Sequence, residues 1–265
     1  MINILELSIE DLFPNIFNRQ YFFVYQDESV YLASVCLIPS IEVYVDGVIV
    51  IDDNKPIGRI GSKHILTAYY RFGRDAFYKQ SKDIMHSTKD HLKPSSSLLD
   101  LLNDFRKNKV GFAPITNDEI LAVASIYDVL KAIVKLPMDM SVKGIGSKII
   151  TIDENYSIRD ALRIMLENNI RRLFIKKDKF YTAIVGRDIL GFIMENEIGS
   201  NKRIDISNIK IDALDMHKIT SIREDTSIRD AIVMLLKEKA PSSLIVEDEY
   251  VITPLDIITN IIKYK

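Results

Sequence analysis

The sequence has a single cysteine, no tryptophan and no long hydrophobic run, and each of these shortages excludes a class of protein. Cys36 alone cannot form a disulfide within the chain or provide a cysteine-based zinc site. The most apolar stretch, residues 30–51, is interrupted by Pro39 and Asp46, so we do not expect it to span a bilayer. The sequence therefore predicts neither a disulfide framework nor a membrane partner.

Neither sign of charge dominates. The chain has 35 Lys and Arg against 37 Asp and Glu, which gives a formal net charge of −2 at pH 7. Without a global basic field, nucleic acid is a poor candidate for a partner. The first residues also lack the basic-then-apolar order of a signal peptide. Because 47% of the residues are hydrophobic, the chain can form a core, and we expect a soluble cytoplasmic protein.

Recognisable catalytic motifs are missing as well. The four histidines show no metal-binding spacing and follow no nucleophile motif. No glycine-rich phosphate loop of the P-loop or dinucleotide-binding type is present. The length is taken up by the repeats described next, so we expect no enzyme activity, no metal and no cofactor.

A repeated segment runs through the chain. Two copies open with the same five residues, at 157–161 and 227–231, and a third has the same frame at 97–101. About thirty residues later, each copy closes on an aspartate followed by apolar residues. These closing residues are Asp128, Asp188 and Asp256. A fixed period of this kind indicates a repeated supersecondary unit.

The pattern inside each copy predicts a β-α-β-β-α unit. In the copy that opens at Ser157, β-branched residues predict a strand at 149–152, and Ser157 with Asp160 forms a capping box that starts a helix. Two further strands are predicted at 173–175 and 181–185, before a second helix. The same order can be followed through the other copies.

The first copy is degenerate, with Gly61 and His64 where the others have a hydroxyl residue and an aspartate. Its residues 30–47 allow two interpretations. Alternation around Asp46 and Gly47 favours a hairpin, whereas the register of the repeats favours a helix that Pro39 would shorten or kink. The sequence leaves this choice open.

The closing segment 251–258, with Thr253 and Asp256 between a strand and a helix, resembles that of the CBS domain, the regulatory module named after cystathionine β-synthase. Residues 170–175 resemble the segment entering the second strand of that domain, and residues 82–85 resemble the start of a repeat. The resemblance covers almost the whole chain. It predicts four repeats: repeat 1 (1–70, degenerate), repeat 2 (80–137), repeat 3 (140–196) and repeat 4 (208–265).

The resemblance implies an α+β fold of tandem β-α-β-β-α repeats, paired by their sheets into two pseudo-two-fold modules, called Bateman modules. Pairing is physically reasonable because one repeat alone would expose an apolar sheet face. The two modules would stack into a disc. Whether the two modules come from one chain or from a homodimer is left open by the sequence.

The resemblance also implies adenosine ligands in the clefts between paired repeats. The hydroxyl residue would cap the second helix where its free N–H groups favour a phosphate, and the aspartate would bind the ribose. Adenine would lie against the segment leading into the first strand. The ligand-binding residues implied in this way are Thr253, Asp256 and Thr220 in repeat 4, Ser125 and Asp128 in repeat 2, and Asp188 in repeat 3, where Val185 replaces the hydroxyl residue.

Arg171 and Arg172 enter the second strand of repeat 3, where the resemblance implies contacts with phosphate. Two other interpretations remain. The two arginines could be solvated or paired with acidic neighbours. Separately, the closing motif could be structural only, because a Thr-x-x-Asp sequence forms a capping box without any ligand.

The predicted function is the regulatory sensing of AMP or another adenosine nucleotide, with an unidentified protein as the regulated partner. The sequence does not choose among AMP, ADP, ATP, S-adenosylmethionine, NAD and a larger dinucleotide. The alternative is a scaffold or dimerisation protein that keeps the fold without using the clefts.

Overall fold

The computed structural model describes residues 4–88, 91–136, 138–238 and 242–263. Each repeat has the order β-α-β-β-α, which a further short helix precedes in repeat 1. Repeat 1 contains α1 (Ile9–Leu12), β1 (Phe23–Tyr25), α2 (Val30–Ser40), β2 (Val48–Asp52), β3 (Lys55–Ile60) and α3 (Ser62–Phe72). Repeat 2 contains β4 (His86–Ser87), α4 (Leu98–Asn108), β5 (Phe112–Asn117), β6 (Glu119–Ser125) and α5 (Ile126–Ile133).

The second half of the chain repeats this order. Repeat 3 contains β7 (Ser147–Lys148), α6 (Ile158–Glu167), β8 (Arg172–Lys176), β9 (Tyr181–Val185) and α7 (Gly186–Ile193). Repeat 4 contains β10 (His217–Ile222), α8 (Ile228–Lys237), β11 (Leu244–Val246), β12 (Tyr250–Ile252) and α9 (Pro254–Lys263). The predicted α+β class is confirmed.

The first helices of repeats 2 to 4 begin at the serines that open the repeated segment. The hydroxyl oxygens of Ser97, Ser157 and Ser227 each accept the N–H of the aspartate three residues on, at 3.0–3.1 Å. Each of these bonds satisfies an N–H that the helix itself cannot pair. The predicted helix start at Ser157 is therefore confirmed, and its equivalents have the same cap.

Within residues 30–47, a helix spans 30–40, and the hairpin around Asp46 and Gly47 does not form. The helix α2 places Val30, Ala33 and Leu37 in the core at helical spacing, and a short 3₁₀ turn follows it. Pro39 is tolerated because it lies in the last turn of α2. The alternation that favours a hairpin is overridden by burial of this apolar helix face.

The strand predicted at 149–152 is wrong in its position. The regular strand is β7, and of the predicted residues Thr151 makes an isolated parallel bridge to Phe174. The segment changes partner at this point, because β7 pairs with β12 of repeat 4 and the chain then reaches β8 of its own repeat. A segment that switches partners cannot form one continuous ladder.

The strand β10 shows the same switch and joins the two repeats of its module. Its first residues, 217–219, pair antiparallel with β9 of repeat 3, and its last, 220–222, pair parallel with β11 of repeat 4. The strands of this module follow the order β7-β12-β11-β10-β9-β8. In the other module β1 to β4 form one sheet, which β4 of repeat 2 joins through β3, and β5 pairs with β6.

Two kinds of core hold the repeats together. Sheet residues pack between paired repeats, through Ile49 and Phe112 in one module and Phe174 and Ile245 in the other. Helices then pack between modules, repeat 1 against repeat 3 through α3 and α7, and repeat 2 against repeat 4 through α4 and α9. One chain therefore supplies both modules of the predicted stack.

Within the described ranges, every helix is too short or too polar to cross a bilayer.

A buried ion pair crosses the interface between repeats 1 and 2. The Arg59 guanidinium is 1% exposed and donates to both carboxylate oxygens of Asp104, at 2.7 and 2.9 Å. It also donates to the Phe112 carbonyl at 2.9 Å. Because β3 supplies the arginine and α4 the carboxylate, this cluster fixes the position of one repeat against the other.

We expect Arg59→Ala to lower the free energy of unfolding by about 3–5 kcal/mol, because it leaves the Asp104 carboxylate buried without its partner. Arg163→Ala, which removes an exposed i,i+4 pair with Glu167, should cost less than about 0.5 kcal/mol. Urea unfolding of both variants provides the measurement. Equal losses in the two variants would contradict this role of Arg59.

Candidate functional site

A cavity of about 440 Å³ lies where the four repeats meet. Each repeat contributes to its lining, for example through His64, Tyr127, Arg172 and Asp256. The volume falls in the range of pockets that hold small ligands, roughly 300–1,000 Å³. The closing motifs of repeats 1 and 4 border this cavity directly.

The closing motif caps a second helix in every repeat. In repeat 4 the carboxylate oxygen Oδ2 of Asp256 accepts the Thr253 N–H at 2.8 Å and the Thr253 hydroxyl at 2.6 Å. Ser125 and Asp128 make the same bonds in repeat 2, both at 2.8 Å. In repeat 3 the Asp188 carboxylate accepts the Val185 N–H, and Val185 offers no hydroxyl.

Repeat 1 keeps the geometry of the cap with a different residue. The His64 ring nitrogen Nδ1 accepts the Gly61 N–H at 2.9 Å, as a carboxylate does elsewhere. Burial, together with nearby Arg171, His86 and Lys63, lowers the pKa of His64 to about 4. His64 therefore caps its helix as a neutral imidazole at pH 7.

In each module, the start of a repeat's first strand, or the residues just before that strand, lies at the closing motif of the partner repeat. We call this stretch the lead-in: it contains Arg19 in repeat 1, His86 in repeat 2, Ser147 and Lys148 in repeat 3, and His217 in repeat 4. Asp128 of repeat 2 meets Arg19 of repeat 1, and Asp188 of repeat 3 meets His217 of repeat 4. His64 of repeat 1 stacks on His86 of repeat 2, with ring centroids 6.4 Å apart. The partner switch of the first strands explains this exchange.

At Asp256 the corresponding residue from repeat 3 is Ser147. Ser147 pairs with Val251, two residues before Thr253, just as His217 pairs with Ala183, two residues before Val185. In the described residues, the Ser147 side chain makes no hydrogen bond to the Asp256 carboxylate. The Asp256 oxygen Oδ1 has no hydrogen-bond or ion-pair partner in the part of the chain that the structure describes.

Gly146 brings this segment close to the motif of repeat 4. Its φ of +102° lies in the region that favours glycine, and a Cβ there would come within 2.4 Å of the Val251 carbonyl oxygen. A side chain at this position would push the lead-in segment away from β12. The lead-in therefore forms one wall of the Asp256 cleft.

Thr220 does not lie with Thr253 and Asp256, contrary to the sequence-based expectation. It is exposed in a separate surface groove, where its hydroxyl donates to Glu238 at 2.9 Å. The physical reason is the exchange of first strands, which directs the lead-in of repeat 4 to the motif of repeat 3. Ser147 and Lys148, in the lead-in of repeat 3, border the cavity with Asp256 instead.

Asp128 is also less accessible than the motif suggested. It is 9% exposed, and both of its carboxylate oxygens accept bonds from the Arg19 guanidinium at 2.8 Å. The structure thus brings Ser125 and Asp128 together, but with an internal cation in place. The Asp188 side chain is buried to a similar degree, at 11% exposure, although its partner His217 is about half exposed.

Arg171 and Arg172 both line the central cavity but differ in their contacts. Arg171 lies 3.7 Å from the Asp46 carboxylate, so the alternative of an acidic partner holds for this residue. Arg172 donates to the Ser242 carbonyl at 2.9 Å, and no carboxylate among the described residues pairs with it. Burial lowers the pKa of the Arg172 guanidinium, because the charge is poorly solvated.

Three lysines that the sequence analysis did not single out add to this charge: Lys63, Lys109 and Lys148. Burial lowers the pKa of Lys63, and the charges of Arg171 and Lys109 lower it further. Mutual repulsion of this kind shows that the cations converge on one space. The cavity can therefore attract an anion, most strongly one with several charges.

Nothing like a metal centre is seen in the described ranges, where no three His, Cys, Asp or Glu side chains come close enough to hold an ion.

The fold and the site define a class: a tandem-repeat protein with ligand-sized clefts between paired β-α-β-β-α units. A model of the CBS domain family matches residues 82–135 and 142–195. These two segments are thus CBS domains, and the fold of the chain continues the same arrangement over repeats 1 and 4. The predicted recognition of tandem CBS repeats in two modules is confirmed.

Solved structures share this fold over most of the chain. Protein MJ1225 of Methanocaldococcus jannaschii, described as a proposed archaeal homologue of γ-AMPK, superposes with a TM-score of 0.79. It is 18% identical, and the match covers 96% of this chain and 100% of that one. A conserved protein of Pyrococcus horikoshii matches with a TM-score of 0.53 and 10% identity, over 81% of this chain and 90% of that one.

A sequence relative is the uncharacterised protein MJ1232 of Methanocaldococcus jannaschii, 33% identical over 106 residues. The match covers 38% of this chain and 35% of that protein, so the chain aligns with about a third of the relative's length.

His64 makes stability depend on pH. Because its pKa is about 4 in the folded chain and about 6.5 when unfolded, acid favours the unfolded state. We expect the wild type to lose about 3 kcal/mol more than His64→Asn between pH 6.5 and pH 4. Asn keeps an acceptor for the Gly61 N–H but does not titrate. Urea unfolding across this range is the measurement, and parallel pH curves would exclude the assignment.

Proposed function

We propose that this protein is a regulatory sensor that binds an anionic adenine nucleotide at Thr253 and Asp256, with its phosphates in the basic central cavity. One observation carries the proposal. Asp256 is the closing-motif carboxylate that borders the cavity and keeps an oxygen without a partner among the described residues. The corresponding carboxylates, Asp128 and Asp188, each meet a side chain from the partner repeat.

The pose follows from the chemistry of the cleft. The Asp256 oxygen Oδ1 would accept bonds from the ribose hydroxyls, while Oδ2 keeps the helix cap. The N-terminus of α9 and the Thr253 hydroxyl would face the first phosphate. Adenine would lie against the lead-in of repeat 3 at Ser147 and Lys148, rather than against Thr220.

The charges around the cavity favour one group of adenosine ligands. Arg172, Lys63, Lys109 and Lys148 border the cavity, and none of them has a carboxylate partner in the described part of the chain. These cations would repel the sulfonium of S-adenosylmethionine and attract phosphates. We therefore propose AMP, ADP or ATP, with affinity increasing with the number of phosphates.

A regulatory role fits the position of the cavity. Its lining comes from all four repeats, so a ligand there would touch both modules at once. A ligand that contacts two bodies can stabilise one relative arrangement over another, and a partner protein could bind that arrangement selectively. The comparison with MJ1225, described as a proposed homologue of γ-AMPK, supports nucleotide sensing in particular. The regulated protein is not identified.

A scaffold role has support in the other three repeats. The closing motifs at His64, Asp128 and Asp188 each contact a side chain of the partner repeat, and such contacts hold the repeats together without a ligand. Under this alternative, no adenosine compound would bind in a calorimetric titration, and Asp256 would serve only as a helix cap.

We expect Thr253→Ala/Asp256→Ala to weaken nucleotide binding at least tenfold, since the variant removes the ribose acceptor and the hydroxyl beside the phosphate. The matched control is Ser227→Ala/Asp230→Ala, which removes the equivalent cap from α8 of the same repeat, on an exposed surface. Calorimetry with AMP, ADP and ATP gives both affinities. Unchanged binding in the first variant would exclude the site.

Arg172→Gln should reduce the affinity for ATP by about ten- to a hundredfold, because a charge-assisted bond to phosphate contributes roughly 1.5–3 kcal/mol. Adenosine, which has no phosphate, should bind both proteins equally. Arg163→Gln, on the exposed face of α6, serves as the control for a general loss of positive charge. A similar loss for adenosine and ATP would show that Arg172 acts through folding rather than through phosphate.

A further inference from the structure

We propose that Arg19 keeps a second nucleotide pocket, at Ser125 and Asp128 of repeat 2, closed from within. This inference rests on the function proposed above and concerns how many of the pockets a nucleotide can reach. The cap geometry of this pocket matches that of Thr253 and Asp256, with the same two bonds to the carboxylate. The difference lies in the residue that the partner repeat provides.

The Arg19 guanidinium occupies the position proposed for the ribose hydroxyls. It donates to Oδ1 and Oδ2 of Asp128, both at 2.8 Å, and to the Val123 carbonyl at 2.6 Å. The exposed fractions of the two side chains are 18% and 10%. A planar fork bound to both carboxylate oxygens leaves little acceptor capacity for a ligand.

The chain before Arg19 holds this guanidinium in place. Ile9 and Ile16 are buried in the core that repeats 2 and 4 share. The Ile9 N–H donates to the Ser96 carbonyl, and the Leu98 N–H donates to the Leu7 carbonyl, both at 2.9 Å. Because this segment is anchored on repeat 2, Arg19 is positioned before any ligand arrives, and a nucleotide would have to displace a bidentate pair.

The two modules differ in the residue that lies beside the equivalent closing motif. Arg19 comes from the lead-in of repeat 1 and meets the motif of repeat 2, while Ser147 comes from the lead-in of repeat 3 and lies beside the motif of repeat 4. A long cation closes the first pocket, and a short hydroxyl side chain leaves the second accessible. The residues at positions 19 and 147 therefore determine whether a nucleotide can bind at the closing motifs of repeats 2 and 4.

The test is calorimetric titration of ATP into the wild type and into Arg19→Ser, which gives repeat 1 the residue that repeat 3 carries at position 147. We expect one bound nucleotide in the wild type and two in Arg19→Ser. The second site should disappear in Arg19→Ser/Asp128→Ala, while the first remains. Binding of one nucleotide by both the wild type and Arg19→Ser would overturn this inference and leave the proposed function intact, whereas no binding to either would overturn the proposed function.

Loss of Arg19 leaves Asp128 without its cation and could prevent folding. Arg19→Lys covers that case, because it retains the charge beside Asp128 but cannot hold both oxygens with a fork. We expect a second site there with at least tenfold weaker affinity than the first. A folded Arg19→Lys that still binds a single nucleotide at millimolar ATP would also overturn the proposal.

Discussion

The exchange of first strands between paired repeats is the constraint on which the rest of the structure depends. A single β-α-β-β-α unit exposes an apolar sheet face, and it buries that face only against a second unit. The strand β10 pairs with β9 of one repeat and β11 of the next, so the two units share hydrogen bonds as well as a core. Each cleft is consequently built from two repeats, with a motif from one and a lead-in from the other.

This exchange places the chemistry of each cleft under the control of one residue from the partner repeat. Arg19 gives a bidentate ion pair at Asp128, and His217 gives an ion pair to Asp188 that depends on protonation. The histidines of repeats 1 and 2 give a stacking contact, whereas Ser147 leaves the Asp256 oxygen Oδ1 unpaired among the described residues. Four copies of one helix cap thus become four different environments.

The packing of helices between modules creates the second feature of the site. Because repeat 1 packs on repeat 3 and repeat 2 on repeat 4, basic residues from distant parts of the chain border one cavity. Burial lowers the pKa of Lys63, and repulsion from Arg171 and Lys109 adds to the shift, so the cations there repel one another. An anionic ligand would relieve that repulsion, and this couples its binding to the arrangement of the two modules.

The repeat, the helix starts and the closing motifs were predictable from the sequence, because a cap such as Ser157 with Asp160 depends on residues three apart. Local pattern was insufficient for residues 30–47, where burial of Val30 and Leu37 favoured a helix over a hairpin. It also grouped Thr220 with Thr253 and Asp256, from which the structure separates it, and could not identify Arg19 or Ser147 as neighbours of the motifs. The sequence by itself determined which residues cap helices and end strands. The tertiary structure decided which lead-in meets which carboxylate, because strand exchange joins residues that no local spacing connects.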